Sequence, residues 1–350
     1  MKALREGFTT GSCAAAAALA CCLWQRDGVC PERVEIVVPA GKTYAPEIVP
    51  HEGGRCGVLK DSGDDPDITN GMEIIASVSL EEGDGPVSFR AGEGVGVVTQ
   101  PGLKIPPGEA AINPVPRQMI EAAVRSVFGG RAARVTIAIP GGAEVARKTF
   151  NPRLGIEGGL SVLGTSGVVR PMSEEALRDS LVEELKMRVA QGHDDLIYTF
   201  GNQGEEAMGA LFPGRPIVQV SNEIGFMLDA ALELGVKHIL LGGHPGKLAK
   251  VSAGVMQTHS RMADGRREAI VTQLALMAAP LSLIEAVYAG NTTDAAIALI
   301  HEAGFDDVWN RLAEAARRYC SLRVRGEMTI DIAFVDGKGR LLGRCDEVKA

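Results

Sequence analysis

Alternating and apolar segments divide the chain into two halves of different pattern. In the first half, the alternation typical of half-buried strands occurs over residues 34–39, 72–80 and 134–140. Thr9-Thr10-Gly11-Ser12 precedes an alanine-rich segment, and its hydroxyls are placed to cap the first N–H groups of a helix over residues 13–24. Strands mixed with helices and long loops favour an α+β domain, which we place at residues 1–185.

The second half repeats one unit three times: a short apolar strand, a polar turn and a helix-forming segment. The predicted strands cover residues 195–199, 217–220 and 238–241. This alternation is typical of a Rossmann-like α/β domain with a mostly parallel sheet, which we place at residues 186–350. A β-hairpin is predicted at its end, over residues 327–343.

Turns rich in Gly, Asn and Ser follow all three predicted strands. Because ligands of parallel sheets bind outside the carboxyl ends of the strands, these turns predict a cofactor site. The candidates are Gly201, Asn202, Gly204, Ser221, Asn222, Gly225, Gly242, Gly243, His244 and Gly246. The alternative is three unrelated turns. The third turn resembles a phosphate-binding loop, but Leu248 stands where Ser or Thr would hold magnesium, which argues against ATP hydrolysis.

A glycine-rich segment at residues 151–173 lies near the middle of the chain. It contains five glycines and two arginines, Arg153 and Arg170, which are suited to pairing with the anionic groups of a ligand. The alternative is a tight loop whose arginines are solvated or salt-bridged. Residues 92–99 contain a G-x-G-x-G pattern without the spacing of a dinucleotide fingerprint, so we interpret them as a closely packed strand.

Three further segments carry candidate chemistry. The acidic segment 60–67 is interpreted as a solvated turn, a ligand contact through Asp61, Asp64 and Asp65, or a cation loop, although its spacing does not match an EF-hand. Cys13 lies at the start of the first helix, where the helix dipole would lower a thiol pKa. The alternative is a capped helix with a buried cysteine. His259 and Arg261 are predicted early in a helix over residues 258–278, pointing into a cleft or pairing locally.

Composition narrows the class of protein. The 350 residues carry a net charge of −8, with no basic run that would indicate nucleic-acid binding. The seven cysteines form no C-x-x-C pair and predict reduced thiols. An apolar segment of 18 residues, as a membrane span would need, is not found, and the N-terminus lacks a signal-peptide pattern. We therefore expect a cytoplasmic protein.

Seven ordered blocks between residue 7 and about residue 268 resemble the cobalt-precorrin-5B C(1)-methyltransferases (CbiD family). The blocks are GFTTGSCAAAAA, DSGDDPDIT, GEGVGVVT, AINPVPR, NPRLGIEGGLSVLGTSGVVRPMSEEA, SNEIGF and GGHPGKLAK. The resemblance implies methylation of C-1 of cobalt-precorrin-5B by S-adenosylmethionine, giving cobalt-precorrin-6A in anaerobic cobalamin biosynthesis. One departure is Phe200-Gly201-Asn202-Gln203, where relatives often have Pro-Gly-Asn-Tyr.

The implied substrate, a cobalt corrinoid with peripheral carboxylates, assigns further roles. Substrate contacts are predicted for Thr10, Ser12, Asp61, Asp64, Asp65, Arg153, Arg170, Lys247 and Arg261. His259 or Asp64 is the candidate general base. No protein-bound metal is expected, because the sulfonium leaving group departs neutral, and association of identical copies is left open. Two rival hypotheses are a hydrolase with Cys13 as nucleophile and a non-catalytic corrinoid carrier.

Overall fold

The computed structural model describes residues 4–346. The chain separates into two compact units, Met1–Ala176 and Leu177–Ala350. The separation falls within a helix at Glu174–Ala190, a little before the boundary after residue 185 that the sequence suggests. Among the described residues, no helix is long and apolar enough to cross a bilayer.

The N-terminal unit is an α+β arrangement built on a five-stranded sheet. Its strands are β1 (Gly7–Phe8), β2 (Ile36–Val37), β3 (Thr43–Tyr44), β4 (Val49–His51), β5 (Arg55–Leu59), β6 (Glu73–Asp84), β7 (Val87–Ala91), β8 (Val97–Val98), β9 (Arg131–Ala138), β10 (Ile156–Glu157) and β11 (Val168–Val169). Its helices are α1 (Thr10–Asp27), α2 (Pro114–Phe128) and α3 (Gly142–Ala146), with 3₁₀ turns at Glu52–Gly54 and Asn151–Leu154. The sheet order is β4-β5-β6-β9-β7, and the β7–β9 pair is parallel while the others are antiparallel.

Helix α1 lies in the core of this unit because its sequence is almost entirely small. Thr9 caps it, accepting a hydrogen bond from the Ser12 N–H at 3.2 Å, as the sequence predicts. The alanines at positions 14 to 18 are at most 1% exposed. Gly28 ends the helix in the left-handed conformation, with φ of 75°.

The C-terminal unit is a mixed α/β arrangement. Its strands are β12 (Asp195–Thr199), β13 (Ile217–Gln219), β14 (His238–Gly243), β15 (Thr329–Val335) and β16 (Leu341–Cys345). Its helices are α4 (Glu174–Ala190), α5 (Asn202–Leu211), α6 (Ile224–Glu233), α7 (Pro245–Val251), α8 (Arg266–Leu276), α9 (Leu281–Ala289), α10 (Thr293–Glu302) and α11 (Val308–Arg323). The strand order is β13-β12-β14-β15-β16, with only the final pair antiparallel among these described strands.

This topology confirms that the three predicted apolar strands are adjacent and parallel, with β12 in the middle, and that β15 and β16 form the predicted hairpin. Helix α5 contributes Met208 to a small core on one face of the sheet. The larger core on the other face takes residues from α4 and from α6 through α11. From β12 the chain adds β13 on one side, and it then crosses to the other side of β12 to add β14 and β15. The boundary between β12 and β14 is therefore a topological switch point of the sheet.

Two predicted elements are wrong in their extent. Residues 258–265 contain one turn, at 260–262, and no regular secondary structure, and the predicted helix begins only at Arg266 as α8. The carbonyls of Thr258 and Ala263 bind the Lys250 ammonium instead of continuing a helix. The predicted strand 92–99 shortens to β8, because Gly94 adopts φ of +69° in a turn packed against the Ile139 backbone.

Candidate functional site

The turns after β12, β13 and β14 lie at one edge of the C-terminal sheet. They meet there because the three strands are adjacent and parallel. The turn after β12 contains Gly201, whose φ of +145° favours glycine, and the turn after β13 contains Ser221 with φ of +52°. The third turn leads through Gly242, Gly243 and His244 into α7.

Gln219, the last residue of β13, connects two of these turns. Its Nε2 donates to Asn202 Oδ1 at 2.9 Å and to Glu205 Oε2 at 2.8 Å. The side chain is buried, so the amide and the carboxylate are held in one arrangement. Gln219 was not among the residues predicted from the sequence. A glutamine inside an otherwise apolar strand segment, PIVQV, was the available signal.

Several glycines of these turns are required by packing inside the protein. A Cβ on Gly242 would lie 2.1 Å from Met208, one on Gly204 2.1 Å from the Thr199 hydroxyl, and one on Gly225 2.7 Å from Arg323. At Gly243 the neighbour is the Phe200 ring, at 2.6 Å. Glycine at these positions therefore does not by itself indicate a ligand.

His244 and Lys247 make contacts that build the third turn. His244 Nδ1 accepts the Gly246 N–H at 3.1 Å and so caps α7, which leaves Nε2 to donate to Asp294 at 3.1 Å. Lys247 Nζ lies 3.4 Å from the Phe200 carbonyl and above the Phe200 ring. Burial, followed by the nearby charge of Lys250, lowers the Lys247 pKa.

The segment 257–265 packs against the turn after β13. Thr258 N–H donates to the Asn222 carbonyl at 3.0 Å, and Gln257 donates to the buried carboxylate of Glu223 at 2.6 Å. His259 and Arg261 are exposed on this segment. His259 Nδ1 accepts the Arg261 N–H at 3.1 Å, so a neutral imidazole there presents its Nε2 as a donor. This tautomer disfavours His259 as a general base.

In the N-terminal unit, the start of α1 fastens the glycine-rich segment. Thr10 Oγ1 exchanges hydrogen bonds with Leu163, donating to its carbonyl at 3.1 Å and accepting its N–H at 3.0 Å. Ser12 Oγ donates to the Gly167 carbonyl at 2.6 Å. Both side chains are buried, and the Gly11 N–H is also bound to Leu163. These contacts favour a scaffold role for Thr10 and Ser12 over the direct substrate contact predicted from the sequence.

The acidic segment 60–67 is likewise held by groups of the protein. Asp61 forms an ion pair with Arg5 at 2.5 Å, and this hydrogen bond is the main cause of its lowered pKa. Asp64 accepts the Arg5 N–H at 2.7 Å, and Asp65 accepts the Met172 N–H at 2.9 Å. Among residues 4–346, no group of His, Cys, Asp and Glu side chains is arranged to hold a metal ion. The absence of a protein-bound metal stays a prediction.

The two arginines of the glycine-rich segment occupy different surroundings. Arg170 is 67% exposed, and its Nε lies 3.7 Å from Glu6, a carboxylate that also pairs with Lys42. Arg153 lies half-buried in the 3₁₀ turn beside Asn151, whose side chain donates to the Gly159 carbonyl at 3.1 Å. Arg170 is thus the more accessible of the two to an anionic ligand.

The expected lowering of the Cys13 thiol pKa is wrong. Cys13 is fully buried, and burial raises its pKa to about 11, although a hydrogen bond with the Tyr44 hydroxyl at 3.3 Å acts in the opposite direction. Desolvation therefore outweighs the helix dipole. A nucleophilic Cys13, as the rival hydrolase hypothesis requires, is not supported.

Comparison with known proteins identifies the relatives of this chain. Family models described as CbiD and as the CbiD C-terminal domain match residues 1–171 and 257–346. The cobalt-precorrin-5B C(1)-methyltransferase of Alkaliphilus metalliredigens is 42% identical over 99% of this chain and 93% of its own. That of Thermoanaerobacter sp. is 43% identical over 99% and 96%, and that of Photorhabdus laumondii 46% over 89% and 84%.

A solved structure also matches. The crystal structure of the cobalamin biosynthesis protein cbiD from Archaeoglobus fulgidus is 29% identical, covers 75% of this chain and 84% of its own, and aligns with a TM-score of 0.41. The sequence relatives define the class of the protein, a methyltransferase. Within that class, the chain belongs to the CbiD family of cobalt-precorrin-5B C(1)-methyltransferases.

Proposed function

We propose that this protein methylates C-1 of cobalt-precorrin-5B with S-adenosylmethionine, giving cobalt-precorrin-6A in anaerobic cobalamin biosynthesis. The observation that carries the proposal is the similarity to relatives of that name over 99% of the chain. The location in the cytoplasm, the absence of a nucleic-acid or membrane partner and the oligomeric state stay predictions from the sequence.

The reaction demands alignment more than acid–base chemistry. An electron pair of the macrocycle forms the bond from C-1 to the methyl carbon while the sulfur–methyl bond breaks and its own pair stays on sulfur, so that the positive charge passes from sulfur to the macrocycle. The sulfonium departs as neutral S-adenosylhomocysteine, so no Lewis acid is required. The protein contributes by holding C-1, the methyl carbon and the sulfur in line and by excluding water. An electron-rich macrocycle carbon can attack without a protein base, so Asp64 and His259 stay secondary candidates for that role.

We propose that the donor binds across the carboxyl ends of β13, β12 and β14, in a Rossmann-like use of this sheet. Adjacency of the three turns supports this, and so does the Gln219 bridge, which presents Asn202 and Glu205 in a fixed arrangement. A carboxylate such as Glu205 also suits a cationic sulfonium. The cofactor candidates that lie beside the members of this bridge along the chain are Gly201, Asn202, Gly204, Ser221 and Asn222.

The corrinoid carboxylates would be bound by cationic side chains within each unit. Arg170 and Arg153 are the candidates in the N-terminal unit, and Lys247 and Arg261 in the C-terminal unit. The exposure of Arg170 and Arg261 supports their role, because each can meet a carboxylate without breaking a buried ion pair. Thr10 and Ser12 would act indirectly, by holding the segment that carries Arg170.

Calorimetry with S-adenosylhomocysteine tests the donor site. Gly243→Val tests whether a side chain there blocks the ligand, but it also meets the Phe200 ring. We therefore add Gly243→Ala alone, Phe200→Ala alone and the two combined, since the combination removes the ring that a Cβ would strike. We expect weakened binding in all three variants at Gly243, with thermal stability recovered in the double variant. Wild-type affinity in a folded Gly243→Val protein would exclude this placement of the donor.

A further inference from the structure

Lys250, on α7, is a buried lysine in the C-terminal unit whose charge requires an explanation. Only 3% of its surface is exposed. A buried ammonium is costly unless donors and charge are matched by partners. Its Nζ donates to the Thr258 and Ala263 carbonyls, both at 3.0 Å, and lies 3.7 Å from Asp264 Oδ1.

The accepting carbonyls stand near the two ends of the segment 258–264, which has no regular secondary structure. One ammonium therefore closes this segment into a loop, which we call the Lys250 loop. The loop exposes His259 and Arg261 to solvent. Arg266, at the start of α8, adds a second cation to Asp264 at 3.0 Å.

The Lys250 loop is also bonded to the turn after β13. Thr258 N–H donates to the Asn222 carbonyl at 3.0 Å, and its hydroxyl lies 3.3 Å from Asn222 Oδ1. Asn222 belongs to the proposed donor site. Helix α7 follows the turn after β14. Lys250 therefore links this helix to the Lys250 loop, and the loop in turn is bonded to the turn after β13.

We propose that Lys250 is a positioning residue, which fixes the Lys250 loop against the turn after β13 and so sets the placement of Asn222 for donor binding. This inference rests on the proposed function, because its effect on the ligand assumes that the donor binds at these turns. Its structural part, the closure of the loop, is tested without any ligand.

Lys250 also acts on Lys247 through space. Its charge, after burial, is a cause of the lowered Lys247 pKa. The Lys247 ammonium exists below its pKa, so binding that depends on it is lost as the pH rises through that value. Replacing Lys250 by a neutral residue removes one lowering influence and moves this loss to higher pH. Lys250→Arg keeps the charge and should leave the pH of this loss unchanged. Comparing the two variants therefore separates the effect of charge from a loss of packing.

The test compares Lys250→Met, which keeps the length of the side chain and removes the charge, with Lys250→Arg. Hydrogen exchange of residues 257–265 is measured on each folded protein, followed by S-adenosylhomocysteine affinity and the pH profile of kcat/KM. Ile300→Val, in the core of α10, controls for general loss of stability. Thr258→Val removes only the side-chain contact to Asn222 and serves if Lys250→Met does not fold.

We expect Lys250→Met to lose exchange protection in the loop and to bind S-adenosylhomocysteine about tenfold or more weakly, since hydrogen bonds to a charged group contribute that much free energy. The alkaline limb of its kcat/KM profile is expected to move to higher pH. Lys250→Arg would restore most of this, and Thr258→Val would weaken binding by a smaller factor. Unchanged loop exchange in Lys250→Met, or unchanged affinity in Thr258→Val, would overturn the inference. Failure of the wild-type protein to bind S-adenosylhomocysteine would instead overturn the proposed donor site.

Discussion

Two buried lysines hold two polar segments of this protein, and they do so in different ways. In the N-terminal unit, Lys60 donates to Ser62 and to the Asp67 carboxylate, both at 2.5 Å. In the C-terminal unit, Lys250 donates to two backbone carbonyls, and its nearest carboxylate is 3.7 Å away. Lys60 and Lys250 are each 3% exposed.

The two segments differ in which of their side chains are available to contact a ligand. In the Lys60 segment the neighbouring carboxylates of Asp61, Asp64 and Asp65 are bound by Arg5 and by the Met172 N–H. In the Lys250 loop the bonding is done by the backbone, and the side chains of His259 and Arg261 face solvent. In the acidic segment, Asp61 and Asp64 are exposed, but each already accepts a hydrogen bond from Arg5, which favours a scaffold role. The Lys250 loop instead presents a cationic and an imidazole side chain to solvent.

The largest effect is expected on stability in the Lys60 segment. Lys60→Met leaves the Asp67 carboxylate without its cation, and breaking such a pair costs about 3 kcal/mol of unfolding free energy. Urea denaturation of Lys60→Met, Asp67→Asn and the double variant measures the coupling. Additive losses in the double variant would contradict a direct pair.

The same pair gives an expected pH dependence. Burial would raise the Asp67 pKa, but the hydrogen bond to Lys60 and those from Thr69 outweigh it and lower the value from 3.8. A lowered carboxyl pKa contributes stability that is complete above the unfolded value and lost as the pH falls through the folded one. The stability difference between wild type and Asp67→Asn is therefore expected to shrink below about pH 4.

An effect of intermediate size is expected on substrate binding when Arg170 is replaced. Arg170→Ala removes an exposed cation, and we expect KM to rise, or kcat/KM to fall, by roughly 10- to 100-fold, since a bond to a charged group is worth about 1.5–3 kcal/mol. The melting temperature is expected to hold within about two degrees, because an exposed ion pair adds little. Arg153→Ala is the matched variant in the half-buried position. Normal kinetics with lost stability would show a structural arginine.

The smallest effect is expected at Asp64. Asp64→Asn keeps the acceptor for the Arg5 N–H, so kcat is expected to change by less than about threefold, a barrier change under about 0.7 kcal/mol. A fall of tenfold or more would show that the carboxylate charge acts in the reaction, either on the sulfonium or as the candidate base. Activity of the wild-type enzyme is expected to survive EDTA. Its loss on chelation, restored by magnesium or calcium, would make this segment a cation site.

Local pattern predicted much of the fold. The strand at residues 195–199 and the hairpin were found from apolar runs and turn residues, which are local properties of the chain. The helix predicted over 258–278 was partly wrong because Lys250 binds the carbonyls that a helix would use. That partner lies outside the predicted segment, so periodicity within it could not indicate the competition.

The contacts of the candidate site residues were also harder to predict, because many of their partners lie far away in the chain. The glycine-rich turns could be found because Gly, Asn and Ser cluster after apolar strands. The hydrogen bonds of Thr10 and Ser12 could not be predicted, since their partners Leu163 and Gly167 lie 153 and 155 residues away. The pKa of Cys13 could not be predicted from its position at the start of a helix, because burial in the core raises the pKa more than the helix dipole lowers it.

The most direct test of the donor site is a crystal structure of the protein with S-adenosylhomocysteine bound. We expect ligand density across the turns 201–205, 221–225 and 242–246, with Asn222 and the Lys250 loop in contact with the ligand. Density for the ligand elsewhere, with these turns unoccupied, would contradict it.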